Sequence, residues 1–243
     1  MIPLRVMVVG AAGRMGRAVI RTVAHQEDIT LVAAVGRTTG IGADAVSLAG
    51  IQGPPVPITS LLSEAITQTH PDVALDFILP GSVMSNVRIA LAARLPYIIG
   101  TSGLTPVNME ELNALAIHHA TPLLVVPNFA LGAVLMMRFA AQAAPYFQAA
   151  EIVELHHAGK RDAPSGTARA TVDMLEMKEV PCRSVRLPGL MAHQEIIFGG
   201  KGQTFSLRHD AINHESYLPG VLLAIRKARE LSGLVVGLEH LLS

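Results

Sequence analysis

The sequence predicts an α/β chain with two differently built sheets, on three observations. Short apolar runs ending in small or hydrogen-bonding residues alternate with helical stretches through the first half. A glycine-rich turn joins the first of these runs directly to the first helix. Further on, a group of strands shows the two-residue alternation of a sheet with one open face.

The run LRVMVVG, Leu4 to Gly10, reads as the first strand, and GAAGRMG, Gly10 to Gly16, follows at once. Strand, glycine-rich turn and helix in that order form the context of a Rossmann-type dinucleotide-binding site. Gly10 allows the tight turn, Gly13 lets the backbone approach a pyrophosphate, and Gly16 permits close packing of helix on sheet. The spacing is GxxGxxG rather than GxGxxG, so the context carries more weight than the pattern. LVAAV (Leu31 to Val35) ends at Gly36-Arg37, and VALDF (Val73 to Phe77) at Ile78-Leu79-Pro80-Gly81. YII (Tyr97 to Ile99) ends at Gly100-Thr101-Ser102, and LLVV (Leu123 to Val126) at Pro127-Asn128-Phe129. Helices are expected from Arg14 to Ala24, Leu61 to Thr67, Ser82 to Ala93 and Val107 to His119. In a parallel sheet all these strand ends lie on one edge, where ligands bind.

The choice of dinucleotide hangs on the end of the second strand. A carboxylate there binds the ribose hydroxyls of NAD and repels a 2′-phosphate. Here Gly36 and Arg37 follow Val35, and the nearest acids are Asp28 and Asp44. Arg37, with Arg14 near, can neutralise a 2′-phosphate, so NADPH is the expected cofactor and NADH the secondary one.

The second half opens with the apolar helix ALGAVLMMRFAAQAA, Ala130 to Ala144, which needs cover on several sides. The stretch ELHHAGKRDAPSGTA, Glu154 to Ala168, carries the chemistry. Alternation puts Ile152, Glu154 and His156 on one face of a strand and Val153, Leu155 and His157 on the other. Asp162, Pro164, Ser165 and Gly166 then supply turn and cap chemistry before a helix. The amides of Gly166 and Thr167 are first-turn donors at the positive end of that helix, suited to a carboxylate or phosphate. Lys160 adds a positive charge and a transferable proton. No metal site is expected, because His156 and His157 point to opposite faces with no third ligand at a suitable spacing. The other His pair, His118-His119, suits the end of a helix as a cation. HQEIIFGG and QTFSLRHD continue the open-faced sheet, and Pro219 starts a helix through VLLAIRKAREL with Gly233 as its stop.

Composition narrows the function. The chain has 243 residues, no net charge and one cysteine, Cys182. Zero charge gives no electrostatic case for nucleic acid. A single cysteine excludes an internal disulfide and points to a reducing compartment, the cytoplasm. The longest apolar stretch, Pro122 to Met137, is broken by Pro127 and Asn128, so no membrane span is expected. No secretory signal is read at the start, where LRVMVVG begins the fold directly.

The blocks GAAGRMGR, GTSGL, PNFALGA and ELHHAGKRDAPSGTA, collinear over nearly the whole chain, resemble the 4-hydroxy-tetrahydrodipicolinate reductase (dihydrodipicolinate reductase) family of bacterial lysine and diaminopimelate biosynthesis. The run SVRLPGLMAHQEIIFGGKGQTFSLRHDA resembles the family's substrate domain. The resemblance implies a homotetramer and a small dicarboxylate substrate. It makes His156 the catalytic histidine and Lys160 the proton donor, with His157, Gly166 and Thr167 binding substrate. Gly10, Ala11, Ala12, Gly13, Arg14, Met15, Arg37, Gly100, Thr101, Ser102, Val126, Pro127, Asn128 and Phe129 would contact the cofactor. Three departures stand out: Gly36 replaces an acid, Asp76-Phe77-Ile78 replaces DFT, and the connection from Met174 to Arg183 is short. The expected organisation is a dinucleotide domain over residues 1–128 and a substrate and oligomerisation domain over 129–214, built as α+β on a mixed open sheet. Residues 215–243 return to the first domain, with hinges near Phe129 and His214. Two alternatives are a catalytically silent dinucleotide sensor, which would not need Lys160, and a related dehydrogenase acting on another amino-acid precursor.

Overall fold

The computed structural model describes residues 2–101 and 103–242. In chain order its elements begin with β1 (Leu4–Val9), α1 (Arg14–Val23), β2 (Ile29–Val35), α2 (Ala45–Leu48), β3 (Ile58–Thr59) and α3 (Leu62–Thr69). There follow β4 (Val73–Asp76), α4 (Pro80–Ala92), β5 (Tyr97–Ile99), α5 (Pro106–His119), β6 (Leu123–Val125) and α6 (Leu131–Ala143). The rest are β7 (Ala149–His156), α7 (Gly166–Leu175), β8 (Cys182–Arg186), β9 (Ala192–Gly200), β10 (Gln203–Ala211), α8 (Leu218–Lys227) and β11 (Leu234–Val236). Two compact units result: Met1–Phe129 with Leu218–Ser243, and Ala130–Tyr217.

The first unit holds a seven-stranded sheet in the order β11-β6-β5-β4-β1-β2-β3, parallel at every pairing. Parallel strands are covered on both faces, which is why they read as unbroken apolar runs in the sequence. Met7 and Val9 enter a core with Leu62, Ile66, Val83, Val87, Leu91 and Leu112 from α3, α4 and α5. Val6 and Val8, buried on the alternate face, lie on the strand against which α1 packs, and α1 also meets α8. Register then lines up the strand ends. Thr59, Val35, Val9, Asp76, Ile99, Val125 and Val236, each the last residue of its strand, stand side by side across the sheet.

The second unit holds a four-stranded mixed sheet, β10-β9-β7-β8, antiparallel except for the β7–β8 pair. Parallel β8 requires a crossover, and α7 supplies it. One sheet face is apolar under the helices: Ala150, Ile152, Ile196 and Phe198 pack with Met136, Ala140, Ala168 and Leu175. The other face carries cross-strand ion pairs, Arg183–Glu151 at 2.8 Å, Arg208–Glu195 at 3.2 Å and His193–Asp210 at 2.7 Å. This is the alternation expected of a sheet with one open face.

Three helix boundaries and three strands depart from sequence expectation. Helix α4 begins at Pro80 rather than Ser82, since the fixed φ of proline suits a first helical position. Helix α3 runs on to Thr69 and closes on His70 in the left-handed region, where the Arg5 guanidinium donates to the carbonyls of Thr69 and His70. Helix α8 stops at Lys227, shorter than the VLLAIRKAREL run, because its last turn tightens into a 3₁₀ turn over Ala228–Glu230. The strands β3, β8 and β11 were not anticipated, being short runs at sheet edges with little periodicity to read. No helix among the described residues is long and apolar enough to cross a membrane.

Candidate active site

In the first unit the sequence-predicted cofactor residues gather on the aligned strand ends. The amides of Gly10 and Ala11 both donate to the carbonyl of Val35, and that of Gly13 to Gly10. These bonds pull the turn tight against β2, with Gly10 at φ +83°, where a side chain is strained. A Cβ at Gly16 would lie 2.2 Å from the Gly10 oxygen, so α1 approaches the turn only because this position has none. Ala12 sits on the turn, and Arg14 and Met15 open the first turn of α1. That turn contains no acid, and its cap, Gly13, offers no side-chain acceptor. An uncapped positive helix end beside a backbone turn is suited to a pyrophosphate.

The neighbouring loops brace one another. A Cβ at Gly100 would meet the Phe77 ring at 2.4 Å, and the Phe77 and Phe129 rings lie 5.7 Å apart. Thr101 Oγ donates to the carbonyl of Ile78. Val126 donates its amide to Ile99, which carries the chain into Pro127, Asn128 and Phe129 beside the Gly100 loop. Ser102 lies outside the described residues. Beneath the loops Asp76, fully buried, accepts from Tyr97 Oη at 2.6 Å, the Ile78 amide at 2.7 Å and Asn86 Nδ2 at 3.1 Å. Burial raises the Asp76 pKa, against the pull of these donors.

Arg37 follows β2, exposed, and reaches Ser82 Oγ at 3.1 Å. The two acids nearest in sequence are engaged elsewhere. Asp28 is paired with Arg226 at 2.7 Å, and Asp44 caps α2, its pKa lowered to about 2 by bonds from the Ser47 hydroxyl and nearby amides.

In the second unit the register sets out a polar end to the helix-covered sheet face. Glu154 pairs with Ser184 on β8 and Gln194 on β9, and His156 with Arg186 and Ala192, so their side chains share the face that carries Ile152 and Ile196. Glu154 has no exposed surface. Its Oε2 accepts from His156 Nδ1 at 2.5 Å and Arg186 Nη1 at 2.9 Å, and its Oε1 from Arg186 Nη2 at 2.6 Å and the Ser165 amide at 3.3 Å. Burial pushes the Glu154 pKa up, yet the bonds from Arg186, Ser184 and His156 outweigh it and hold it below the ordinary value. Burial holds His156 below the usual imidazole range, against the attraction of Glu154.

The loop after β7 carries the lysine. Arg186 Nη2 also donates to the carbonyl of Asp162 at 2.8 Å, and the Asp162 carboxylate pairs with Lys160 Nζ at 2.8 Å. Ser165 caps α7, taking the Ala168 amide on its Oγ at 3.1 Å. A Cβ at Gly166 would meet nothing within 4 Å, so the head of α7 opens onto empty space. Its first turn, with Thr167, contains no acid.

The structure therefore brings His156, Lys160, Gly166 and Thr167 together around one network, while His157 stands exposed beyond the end of β7 with its carbonyl taking the Lys160 amide at 3.1 Å. Sequence reasoning missed Arg186, read Asp162 only as a turn residue and not as the partner of Lys160, and treated Glu154 only as a residue sharing the His156 face. The signal available for Glu154 was that same alternation, an acid two residues before the histidine.

Comparison with known proteins agrees across the whole chain. Residues 4–129 match the family model described as dihydrodipicolinate reductase, N-terminus, and residues 132–242 the one described as dihydrodipicolinate reductase, C-terminus. The 4-hydroxy-tetrahydrodipicolinate reductases of Desulfitobacterium hafniense and Moorella thermoacetica are each 43% identical, over 98% of this chain and 98% of their own. The first alignment spans 264 positions, so that relative has residues without counterpart here. Among solved structures, a dipicolinate-bound dihydrodipicolinate reductase from Paenisporosarcina sp. TG-14 superposes with a TM-score of 0.86 at 38% identity, covering 99% of this chain and all of that one.

Proposed function

The chain belongs to the dihydrodipicolinate reductase family, and on that premise we propose that it reduces 4-hydroxy-tetrahydrodipicolinate to tetrahydrodipicolinate, with the proton coming from Lys160. Unit 1 is the dinucleotide-binding part: Gly10 to Met15 and the first turn of α1 hold the pyrophosphate, with Gly100, Thr101, Ser102 and Val126 to Phe129 along the rest of the cofactor. The reduced nicotinamide, when bound, supplies the hydride. Arg37 takes the 2′-phosphate and sets a preference for NADPH over NADH, which the engagement of Asp28 and Asp44 elsewhere supports.

Unit 2 is the substrate-binding part. The head of α7, with the Gly166 and Thr167 amides and the open space beside Gly166, holds one carboxylate of the dianionic substrate, and His157 assists. Hydride addition to a ring carbon conjugated with an imine-like nitrogen leaves electron density along the ring that a proton must quench. Lys160 delivers that proton. His156, held by Glu154, faces the reacting ring. The observation that carries this reading is one connected network: buried Glu154 holds His156, the head of α7 and Arg186, Arg186 reaches the Asp162 carbonyl, and the Asp162 carboxylate holds Lys160.

The apolar α6, whose Phe139 is exposed, is covered in a homotetramer in the cytoplasm. A monomeric mass in solution at micromolar concentration would count against that assembly.

The assay is dinucleotide oxidation followed spectrophotometrically with freshly made substrate. Lys160→Ala lowers kcat by ~100-fold or more while leaving cofactor affinity close to wild type, as expected for loss of a general acid. A variant with unchanged kcat would remove Lys160 from the mechanism, and comparable kcat/KM for NADPH and NADH would remove the role given to Arg37.

A further inference from the structure

We propose that Glu154 is the positioning residue of the site: it fixes His156 with the proton on Nδ1 and, through Arg186 and the Asp162 carbonyl, it fixes the loop that carries Lys160. This deepens the reading above and rests on His156 and Lys160 being the groups that face substrate.

Two lone-pair atoms cannot face each other at 2.5 Å, so the ring nitrogen of His156 beside Glu154 Oε2 carries a proton. Nε2 is then the ring atom presented outward, an acceptor in the neutral imidazole. Glu154 takes two parallel bonds from the Arg186 guanidinium, at 2.6 and 2.9 Å. The same guanidinium reaches the Asp162 carbonyl at 2.8 Å, and the Asp162 carboxylate holds Lys160 at 2.8 Å. Glu154 also takes the amide of Ser165, the residue that caps α7. One carboxylate thus touches the histidine and the head of α7 directly, and reaches the loop with the lysine through Arg186.

A core that needed only stability would do as well with apolar side chains here, because a buried ion pair gives little net stabilisation over a well-packed replacement. Orientation is what the pair adds. A carboxylate on the far nitrogen of a functional histidine fixes both tautomer and ring plane, and loss of such a partner costs on the order of 10–100-fold in activity.

The first test leaves Glu154 and Arg186 in place. In protein labelled with ¹⁵N at histidine, with His156→Asn identifying the signal, neutral His156 shows the Nδ1–H tautomer. An Nε2–H tautomer or an even mixture overturns the proposal. The second test is the double variant Glu154→Gln with Arg186→Met, which leaves no lone charge in the core. The charged groups facing His156 are Glu154 on β7, Arg186 on β8 and Lys160 on the loop. Glu154 favours the imidazolium more strongly than Arg186 opposes it, so removing both moves the His156 limb of the kcat profile to lower pH. The expected result is a kcat lowered on the order of 10–100-fold with cofactor KM unchanged. A folded double variant with wild-type kcat and pH limb overturns the proposal. Should the wild-type protein fail to turn over substrate, the reductase reading falls, while the tautomer measurement still decides the role of Glu154.

Discussion

Asp76 ends β4 in the first unit, Glu154 lies two residues from the end of β7 in the second, and neither has any exposed surface. Their partners differ in kind. Among the described residues Asp76 meets neutral donors alone, the Tyr97 hydroxyl, the Asn86 amide and the Ile78 backbone. Glu154 meets a guanidinium twice, an imidazole and a backbone amide. Burial dominates at Asp76 and its pKa rises; at Glu154 the cation and the other donors overcome burial and its pKa falls.

The contrast separates two uses of a buried acid. Asp76 braces backbone: it holds the Ile78 amide and, through Tyr97 and Asn86, links β5 and α4 to the loop that carries Phe77. Neutral donors suffice for that. Glu154 is a charge that orients other charges, and only a cation partner keeps it ionised out of water. A brace tolerates loss of one bond among several, whereas an orienting charge does not tolerate loss of its counterpart.

The largest expected effect comes from breaking the charged pair. Glu154→Ala leaves the Arg186 guanidinium, which is mostly buried, without its carboxylate, and should lower unfolding free energy by about 3–5 kcal/mol. Urea denaturation measures it. Tyr97→Phe removes one donor from Asp76 and leaves the other two in place, for a loss of about 1–3 kcal/mol by the same method. If the tyrosine variant loses as much as the glutamate variant, the two acids are not doing different jobs and the distinction between brace and orienting charge fails.

The two sites were unequally legible in the sequence, and the reason is distance along the chain. The dinucleotide half was visible because its determinants are local: each loop follows its own apolar run, and the turn from Gly10 to Gly16 announces its close packing in residue type alone. Phe77, Gly100 and Phe129 come together only through the register of β4, β5 and β6, yet each still sat at a readable strand end. In the second unit His156, Lys160 and the α7 cap fall within one short stretch and were read together. Arg186 did not, because it meets Glu154 only when β8 pairs in parallel with β7 after the α7 crossover, 32 positions on. Nothing in the run SVRLPG marks one arginine as the partner of a buried acid rather than a solvated side chain. The same holds for β11, which joins β6 from the far end of the chain. Short-range pattern reports caps, turns and faces; it does not report which distant strand becomes a neighbour.

The smallest effect, and the sharpest on the comparison, is the response of the two acids to pH. For Glu154 the folded pKa lies below the unfolded one, so its contribution is fully present above the unfolded value and is lost as pH falls through the folded value. For Asp76 the folded pKa lies above the unfolded one, so the folded state binds more protons between the two values. There stability declines as pH rises, and at neutral pH the ionised Asp76 carries a penalty that acid removes. The conservative amides test the two signs separately. The deficit of Glu154→Gln relative to wild type should shrink as the buffer is taken from neutral toward acid. Asp76→Asn should behave oppositely: it compares best with wild type at neutral pH and loses ground on acidification, by about 1 kcal/mol per unit of pKa difference. Paired urea titrations of the three proteins at neutral and mildly acidic pH give both slopes. Slopes of the same sign would mean that Asp76 is held ionised by its neutral donors as firmly as Glu154 is by Arg186, and the partner's charge would then no longer explain what separates the two sites.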